Sequence, residues 1–219
     1  MFASARSRLS SLSSLASPRF SSTAAPKSPT NPVGWYLHQL ETRPLITKAC
    51  TSGVIAGGGD ITCQLIVHKH SGTTDNFFLD KVRVARFGFL GLVWIGPVSH
   101  FWYGFVMRVL PGSGVLVNVK RVILDQGGFA PLFIPSMFMS SKLLEGYSFD
   151  AALVDLKASF LEIYKSNLVL WPAAMAFNFG LVPPQFQVLF SNAVGLIWNS
   201  YMSFMANDNV VEKEEKGSE

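Results

Sequence analysis

The stretch FGFLGLVWIGPVSHFWYGFVM, residues Phe87–Met107, decides the fold class of this chain. Its 21 residues include no Asp, Glu, Lys or Arg. A helix that crosses the hydrocarbon core of a bilayer needs about 20 consecutive, mostly apolar residues. The stretch therefore predicts a membrane-spanning α-helix. Its Gly96-Pro97 pair predicts a kink or a loosened turn inside that helix.

Two further apolar windows lie on either side of this stretch. Residues 49–68 carry a single charge, on Asp60. Residues 126–141 carry none, but a span there has to extend backwards through Asp125 to reach full length. Each window predicts another membrane-embedded helix.

The longest charge-free window covers residues 166–207. Pro183 and Pro184 interrupt it, and proline stops a helix. One helix is therefore predicted to end near Leu181, and another is predicted over residues 185–205. Together, the windows predict an all-α integral membrane helical bundle with four or five membrane-embedded helices.

The composition is that of a membrane protein. Hydrophobic residues make up 49% of the 219 residues and charged residues 15%, whereas a soluble domain has about 25% charged residues. These values argue against disorder, a coiled coil and an ordinary soluble enzyme, and leave a buried soluble helical core as the alternative. The windows lack the two-residue alternation of a β-barrel. The net charge of +4 comes from scattered basic residues, so the expected partner is the lipid bilayer and not nucleic acid.

The N-terminal segment predicts an organelle address. Residues 1–28 contain ten serines and four basic residues, and no acidic residue precedes Glu41. Serine- and arginine-rich, acid-poor leaders of this kind are typical of transit peptides. A mitochondrial leader is favoured, a plastid leader has a similar composition, and a disordered tail without an address is the remaining alternative.

The chain divides into four predicted segments. Residues 1–30 are the transit peptide and the start of a linker, and residues 31–48 are the rest of the linker with an amphipathic segment leading into the membrane. Residues 49–206 form the transmembrane bundle, and residues 207–219 form a disordered acidic tail.

The two cysteines are predicted to be free thiols. Cys50 and Cys63 are 13 residues apart in one apolar window, which separates them by about 20 Å along a helix. That separation is too large for a disulfide.

Small and polar residues share one face of the first predicted span: Gly53, Gly57, Asp60 and Gln64. The two glycines form a small-xxx-small pair that lets another backbone approach closely. A carboxylate inside a membrane usually faces a partner or a water-filled cavity. Asp60 therefore either pairs with an arginine, for which Arg83 and Arg86 are candidates, or lines a pore. The same two arginines are candidate partners of Asp125.

A polar stripe is also predicted on the last helix. Gln185, Asn192 and Asn199 recur every seven residues, and Ser203 follows one turn later. Such side chains either join helices by hydrogen bonds or line a conduit for water.

Other polar residues complete the set of candidates for pore lining or interhelical hydrogen bonds. His100 and Tyr103 follow the Gly96-Pro97 pair, and Asp125 and Gln126 are predicted to open the third helix. The remaining candidate of this kind is Asn178. The residues predicted to shape helix packing are Gly53, Gly57, Gly96, Pro97, Trp171 and Pro172.

The sequence contains no catalytic constellation. H-E-x-x-H, G-x-S-x-G, a P-loop and G-x-G-x-x-G are all absent from it. His68-Lys69-His70 is a poor metal site, because no cysteine or spaced carboxylate cluster accompanies it, and it is interpreted as a solvated loop. No enzyme activity, cofactor or metal is therefore expected.

An ordered set of short motifs resembles the family that contains the 22-kilodalton peroxisomal membrane protein and the mitochondrial inner-membrane protein Mpv-seventeen. The resemblance runs from about Trp35 to Met205. The residues that carry it are Trp35-Tyr36, Leu40, Pro44, Gly59-Asp60, Gln64, Asp80, Arg83, Arg86, Gly96-Pro97, His100, Trp102-Tyr103, Lys120, Asp125-Gln126, Pro131, Trp171-Pro172, Asn178-Phe179, Val182-Pro183, Trp198-Asn199, Tyr201 and Ser203.

Three positions depart from the family pattern. Family members often have tryptophan where Leu168 stands, glutamine at Met175 and arginine at Gln187. The absence of that arginine removes a charge that it would supply to a pore.

The resemblance implies a small helical membrane protein of the mitochondrial inner membrane, with a peroxisomal or plastid membrane as alternatives. It also implies four spans, channel-like passage of small solutes, and a role in mitochondrial homeostasis and stress metabolism. A non-conducting scaffold for inner-membrane assemblies is the competing hypothesis, with Gly53 and Gly57 as its assembly face. A homo-oligomer is compatible with either hypothesis.

Overall fold

The structure is a computed structural model, and it describes residues 31–70 and 77–199. The predicted leader, Ser203 and the predicted acidic tail lie outside these residues. The chain divides into two compact units, residues 1–38 and residues 39–219. The first unit is described only where helix α1 (Pro32–Thr42) begins. The bundle considered below belongs to the second unit.

Five longer helices follow in the described part of the chain, and that part contains no strand. They are α2 (Pro44–His70), α3 (Lys81–Val109), α4 (Val115–Leu144), α5 (Phe149–Leu181) and α6 (residues 187–199). The all-α prediction is thereby confirmed. So is the helix end at Leu181, which is followed by Pro183 and Pro184.

Three of these helices, α2, α3 and α4, are long and apolar enough to cross a membrane, judged over the described residues. Each has at least 26 residues with a mean hydropathy of 1.2 or more in its most apolar window. Three candidate spans are therefore established for residues 31–70 and 77–199. The total of four or five stays a prediction.

A π-helical turn precedes a proline in both α3 and α4. In α3 the turn covers Gly91–Ile95, and the N–H of Gly96 donates to the carbonyl oxygen of Gly91, five residues back. In α4 the turn covers Asp125–Phe129, followed by Ala130 and Pro131. A proline has no N–H and its ring clashes with the carbonyl four residues back, so a wider turn ahead of it keeps the helix continuous. The predicted loosening at Gly96-Pro97 is confirmed in this form.

Two local predictions are wrong. Asp125 and Gln126 do not open a helix, because α4 begins ten residues earlier, at Val115, and runs through them. His68-Lys69-His70 is not a loop, because α2 continues to His70.

Glycine sets the distance between α2 and α3. An added Cβ on Gly53 would meet the carbonyl oxygen of Gly88 at 3.0 Å, and one on Gly91 would lie 2.5 Å from the carbonyl oxygen of Ser52. The two backbones are thus in direct contact, as the small-xxx-small pair predicts. The contact is made within one chain, so the face of Gly53 and Gly57 that was proposed for assembly with a partner is already covered by α3.

A buried arginine of α4 binds backbone carbonyl oxygens at the ends of two other helices, α3 and α5. Arg121 of α4 donates through Nη2 to the carbonyl oxygens of Leu110 (2.7 Å) and Gly112 (2.9 Å). Its Nη1 donates to the carbonyl oxygen of Phe179 at 3.3 Å. Carbonyls at helix ends lack intrahelical donors. Arg121 supplies donors after α3 and near the end of α5, and this accounts for a charged side chain that is only 4% exposed.

Candidate functional site

A cavity of about 370 Å³ lies between helices α2, α3, α4, α5 and α6. On α3 its lining runs from Phe87 to Tyr103, a rise of about 24 Å along a helix. The wall is mainly apolar and aromatic, with residues such as Phe133, Ile134 and Trp198. Nine polar side chains also line it: Ser99, Tyr103, Asp125, Gln126, Ser141, Asn167, Ser191, Asn192 and Asn199.

The carboxylate of Asp125 is held by two donors. Trp102 Nε1 donates to Asp125 Oδ1 at 2.7 Å, and Gln126 Nε2 donates to Oδ2 at 2.8 Å. Asn167 of α5 donates to Gln126 Oε1 at 2.8 Å, and the Tyr164 hydroxyl donates to the carbonyl oxygen of Gln126 at the same distance. The network satisfies a buried carboxylate through neutral donors, so neither Arg83 nor Arg86 is its partner.

A second polar group joins α3, α5 and α6 next to the cavity. The hydroxyl groups of Tyr103 and Ser191 lie 2.7 Å apart, and Asn178 Nδ2 donates to Ser191 Oγ at 3.1 Å. At the next residue of α6, Asn192 Nδ2 donates to Ser52 Oγ at 2.7 Å. Asn192 therefore joins α6 to α2 by a hydrogen bond and also lines the cavity.

An apolar cluster closes the cavity at the Tyr103 end. It consists of Tyr103, Val106, Met175, Phe179 and Val188, all at most 6% exposed. We call this cluster the plug. Tyr103 and Met175 face the cavity, whereas the other three residues lie behind them.

Two buried amide oxygens next to the plug have no hydrogen-bond partner among the described residues. They are Asn178 Oδ1 and Gln187 Oε1. Both residues are almost fully buried, at 0% and 1% exposure. A buried polar atom without a partner is costly, so each oxygen is a place where a donor such as water would bind favourably.

Asp60 is paired within the bundle. Arg83 Nε lies 2.8 Å from Asp60 Oδ1, and Gln64 Nε2 donates to Oδ2 at 2.8 Å. Gln64 Oε1 in turn accepts from the backbone N–H of Asp80, whose side chain caps α3 by accepting from the N–H of Arg83. Arg83 is thus confirmed as the partner of Asp60. The face Gly53, Gly57, Asp60 and Gln64 pairs α2 with α3, and none of its members lines the cavity.

Removal of one partner of this pair should destabilise the bundle more than removal of both. We expect Asp60→Leu to lower the free energy of unfolding by about 1–3 kcal/mol, because it leaves Gln64 and Arg83 without their acceptor. The value lies below that of a fully buried pair because the Arg83 side chain is 43% exposed. The double variant Asp60→Leu/Arg83→Leu should recover part of the loss. Thermal melts in detergent measure both, and additive losses in the double variant would refute the coupling.

The remaining predicted site residues are more dispersed than the sequence pattern indicated. Gln185 is exposed in the turn before α6 and is not part of a helical stripe, because α6 begins only at residue 187. Asn199 is exposed and lines the cavity. His100 lies outside the cavity, where its Nδ1 is 3.4 Å from Lys48 Nζ. Trp171 lines the cavity, and Pro172 lies within the continuous helix α5.

Several residues of the site carried no signal in the sequence analysis. Asn167 follows Lys165 and Ser166, and Ser191 precedes Asn192, with no spacing that marks either of them. Trp102 belongs to the residues that carry the family resemblance, and that resemblance does not indicate the bond from its indole to Asp125. Met175 departs from the family pattern, which does not indicate that it lines the cavity. The described residues contain no group of three or more His, Cys, Asp or Glu that could hold a metal ion.

Comparisons with known proteins identify relatives of this chain. The model of the Mpv17 / PMP22 family matches residues 142–203. PXMP2/4 family protein 2 of Dictyostelium discoideum is 33% identical over 80% of this chain and 91% of its own length. Peroxisomal membrane protein 2 of Bos taurus is 33% identical over 80% of this chain and 89% of its own length. Mitochondrial inner membrane protein Mpv17 of Caenorhabditis briggsae is 32% identical over 79% of this chain and 92% of its own length.

No solved structure matches the chain. The relatives include membrane proteins of mitochondria and peroxisomes, and the aligned region covers most of this chain and most of each relative. This coverage, together with the three candidate spans, shows that the chain belongs to the Mpv17 / PMP22 family of membrane proteins.

Proposed function

We propose that this protein provides a gated, channel-like pathway for small polar solutes across the mitochondrial inner membrane, and so supports mitochondrial homeostasis and stress metabolism. The observation that carries the proposal is the cavity among the candidate spans, which ends at the plug and is followed by two amide oxygens without partners. The plug is the gate of the proposed pathway. We expect the protein to have no catalytic activity.

The chemistry of the lining favours small polar molecules. Hydroxyl and amide groups at Tyr103, Gln126, Asn167 and Ser191 offer donors and acceptors in a mainly apolar space. Ligand-sized cavities of this kind have volumes of about 300–1,000 Å³, so 370 Å³ suits a small metabolite. An apolar constriction such as the plug can block passage by excluding water.

Filling the cavity should stop solute passage. Ala56 lines the cavity from α2, and Ala56→Phe places a ring in it. We expect liposomes containing the purified protein to take up small uncharged polar solutes faster than protein-free liposomes, and Ala56→Phe to remove most of that excess. Val54→Phe is the matched control, because Val54 is 77% exposed on the same helix. A folded wild-type protein that gives no excess uptake would contradict the proposal and favour the scaffold hypothesis.

The mitochondrial assignment rests on the leader, which lies outside the described residues, and on the Mpv17 relatives. A fusion of residues 1–34 to a soluble fluorescent reporter should enter mitochondria. Replacement of its arginines by glutamine should leave the reporter in the cytosol, because a transit peptide depends on its basic residues. Delivery of the unmodified fusion to plastids or peroxisomes alone would overturn this assignment.

A further inference from the structure

A second pocket, of about 400 Å³, adjoins the cavity at the end opposite to the plug. It is lined by Arg83, Arg86, Phe87, Glu145 and Tyr147, and Phe87 lines the cavity as well. We call this second pocket the mouth. It lies where α3 begins and α4 ends. A membrane crossed by these two candidate spans would have the mouth at its surface and the cavity at hydrocarbon depth.

The charges of the mouth are only partly balanced. Arg83 is paired with Asp60, as described above. Arg86 and Glu145 share the mouth but do not form an ion pair with each other, and Arg86 Nε is buried without a hydrogen-bond partner among the described residues. The Glu145 carboxylate accepts a hydrogen bond from the Ser141 hydroxyl at 3.2 Å. One cation and one carboxylate are thus available to a ligand.

The turn between α4 and α5 holds this arrangement in place. Gly146, with a φ of +93°, ends α4, and the N–H of Tyr147 donates to the carbonyl oxygen of Lys142 at 3.1 Å. A glycine in this conformation is a common helix end. Glu145 and Tyr147 therefore have fixed positions beside Arg86 rather than lying in a long loop.

We propose that the mouth and the cavity together bind a zwitterionic phospholipid with a primary ammonium group. Its phosphate lies at Arg86, its ammonium group lies at Glu145, and one acyl chain enters the cavity past Phe87. An arginine fork matches phosphate oxygens, and an ammonium group donates hydrogen bonds to a carboxylate.

The dimensions and the surface chemistry fit this ligand. The hydrocarbon core is about 30 Å thick, so the chain of one leaflet spans about 15 Å, and the lining of α3 extends about 24 Å. The cavity wall offers aromatic and aliphatic contacts along most of that length. The lipid site does not require that the protein conducts solutes, and a bound chain would compete with a solute for the same space.

Direct binding tests the proposal without any transport assay. Trp171 and Trp198 line the cavity, so a bromine on the acyl chain should quench their fluorescence. The probe is a bromoacyl lysophosphatidylethanolamine, titrated into the full chain in a non-ionic detergent. We expect saturable quenching that falls clearly in Trp171→Phe/Trp198→Phe, with the remainder coming from Trp102, whose indole binds the cavity-lining Asp125. Quenching that never saturates, or that is unchanged in this variant, would place the chain outside the cavity and overturn the proposal.

Variants of the mouth separate the two ends of the headgroup. Arg86→Gln should weaken binding at least tenfold, whereas Arg108→Gln, an exposed arginine at the other end of α3, should not change it. Glu145→Gln should weaken binding of the phosphoethanolamine probe several-fold but leave a bromoacyl fatty acid unaffected. Glu145 is exposed, so this variant decides the question even if Arg86→Gln does not fold.

Probes that lack one part of the ligand complete the test. A bromoacyl lysophosphatidylcholine, which has no N–H donors, should bind more weakly than the ethanolamine probe. Free phosphorylethanolamine should compete poorly, because it has no chain. Equal affinity for all acylated probes, or indifference to both mouth variants, would show a site for apolar chains alone and overturn the headgroup assignment.

Discussion

Replacement of Gly91 by alanine should disrupt the bundle more than any other single methyl group added to α3. The new Cβ would lie 2.5 Å from the carbonyl oxygen of Ser52 and 2.8 Å from the Cα of Gly53. Both are backbone atoms of α2, so no side-chain rotation relieves the clash and the two helices must separate. Overpacking of a core costs about 1–3 kcal/mol when side chains can adjust, and we expect a loss of at least about 3 kcal/mol here.

The matched control is Gly104→Ala in the same helix. In the described part of the chain, no atom outside its own helix lies within 4 Å of a Cβ added to Gly104. Alanine there should leave the melting temperature unchanged or raise it slightly, because it reduces the entropy of the unfolded chain. Thermal melts of the two purified variants in the same detergent measure the difference. Equal melting temperatures would contradict the backbone contact between α2 and α3.

The pairing of α2 with α3 could be predicted from the sequence because it follows helical periodicity. Gly53 and Gly57, and then Asp60 and Gln64, fall on one face when each residue advances by 100°. A buried carboxylate needs a partner, and Arg83 lies on the neighbouring predicted helix. The local rules of spacing and charge compensation therefore indicate this face and two candidate partners, whereas the choice of an ion pair over a pore, and of Arg83 over Arg86, depends on the tertiary fold.

The start of α4 could not be predicted in this way. A search for charge-free windows stops at Asp125, whereas the helix extends back to Val115 and includes Arg121. Both charges are satisfied by contacts with distant residues, Arg121 by the carbonyls of Leu110, Gly112 and Phe179 and Asp125 by the indole of Trp102. A hydropathy window counts each charge as fully exposed to lipid and cannot include such tertiary bonds.

The polar stripe of the last helix fails for a different reason. The spacing of seven assumes a helix that already includes Gln185. The turn after Pro183, closed by the N–H of Phe186 donating to the Pro183 carbonyl oxygen at 2.9 Å, delays the helix to residue 187. Among the described members of this pattern, Asn192 and Asn199 reach the cavity. The other polar residues of the cavity come from α3, α4 and α5 and, at Ser191, from α6, and no periodicity within one helix relates them.

The second large effect is expected at the plug. Met175 is 1% exposed, and its sulfur lies 3.9 Å from the Tyr103 hydroxyl and 3.8 Å from Asn178 Nδ2. Met175→Gln keeps the length of the side chain and adds an amide next to the unpartnered oxygen of Asn178. Water should then enter a constriction that an apolar side chain keeps dry. We expect solute passage to rise at least tenfold.

Met175→Leu is the matched control, because leucine has a similar volume and remains apolar. It should leave the plug closed while it causes a comparable local rearrangement. Both variants need to show melting temperatures near that of the wild-type protein before their transport is compared.

The conductance of these two variants in planar lipid bilayers tests the pathway most directly. If solutes pass through the plug, we expect frequent openings for Met175→Gln, and rare openings for both Met175→Leu and the wild-type protein. Ala56→Phe added to Met175→Gln should abolish the openings, because the same cavity leads to the plug. Folded Met175→Gln protein that conducts no more than Met175→Leu, or conduction that survives Ala56→Phe, would contradict a solute pathway through this cavity.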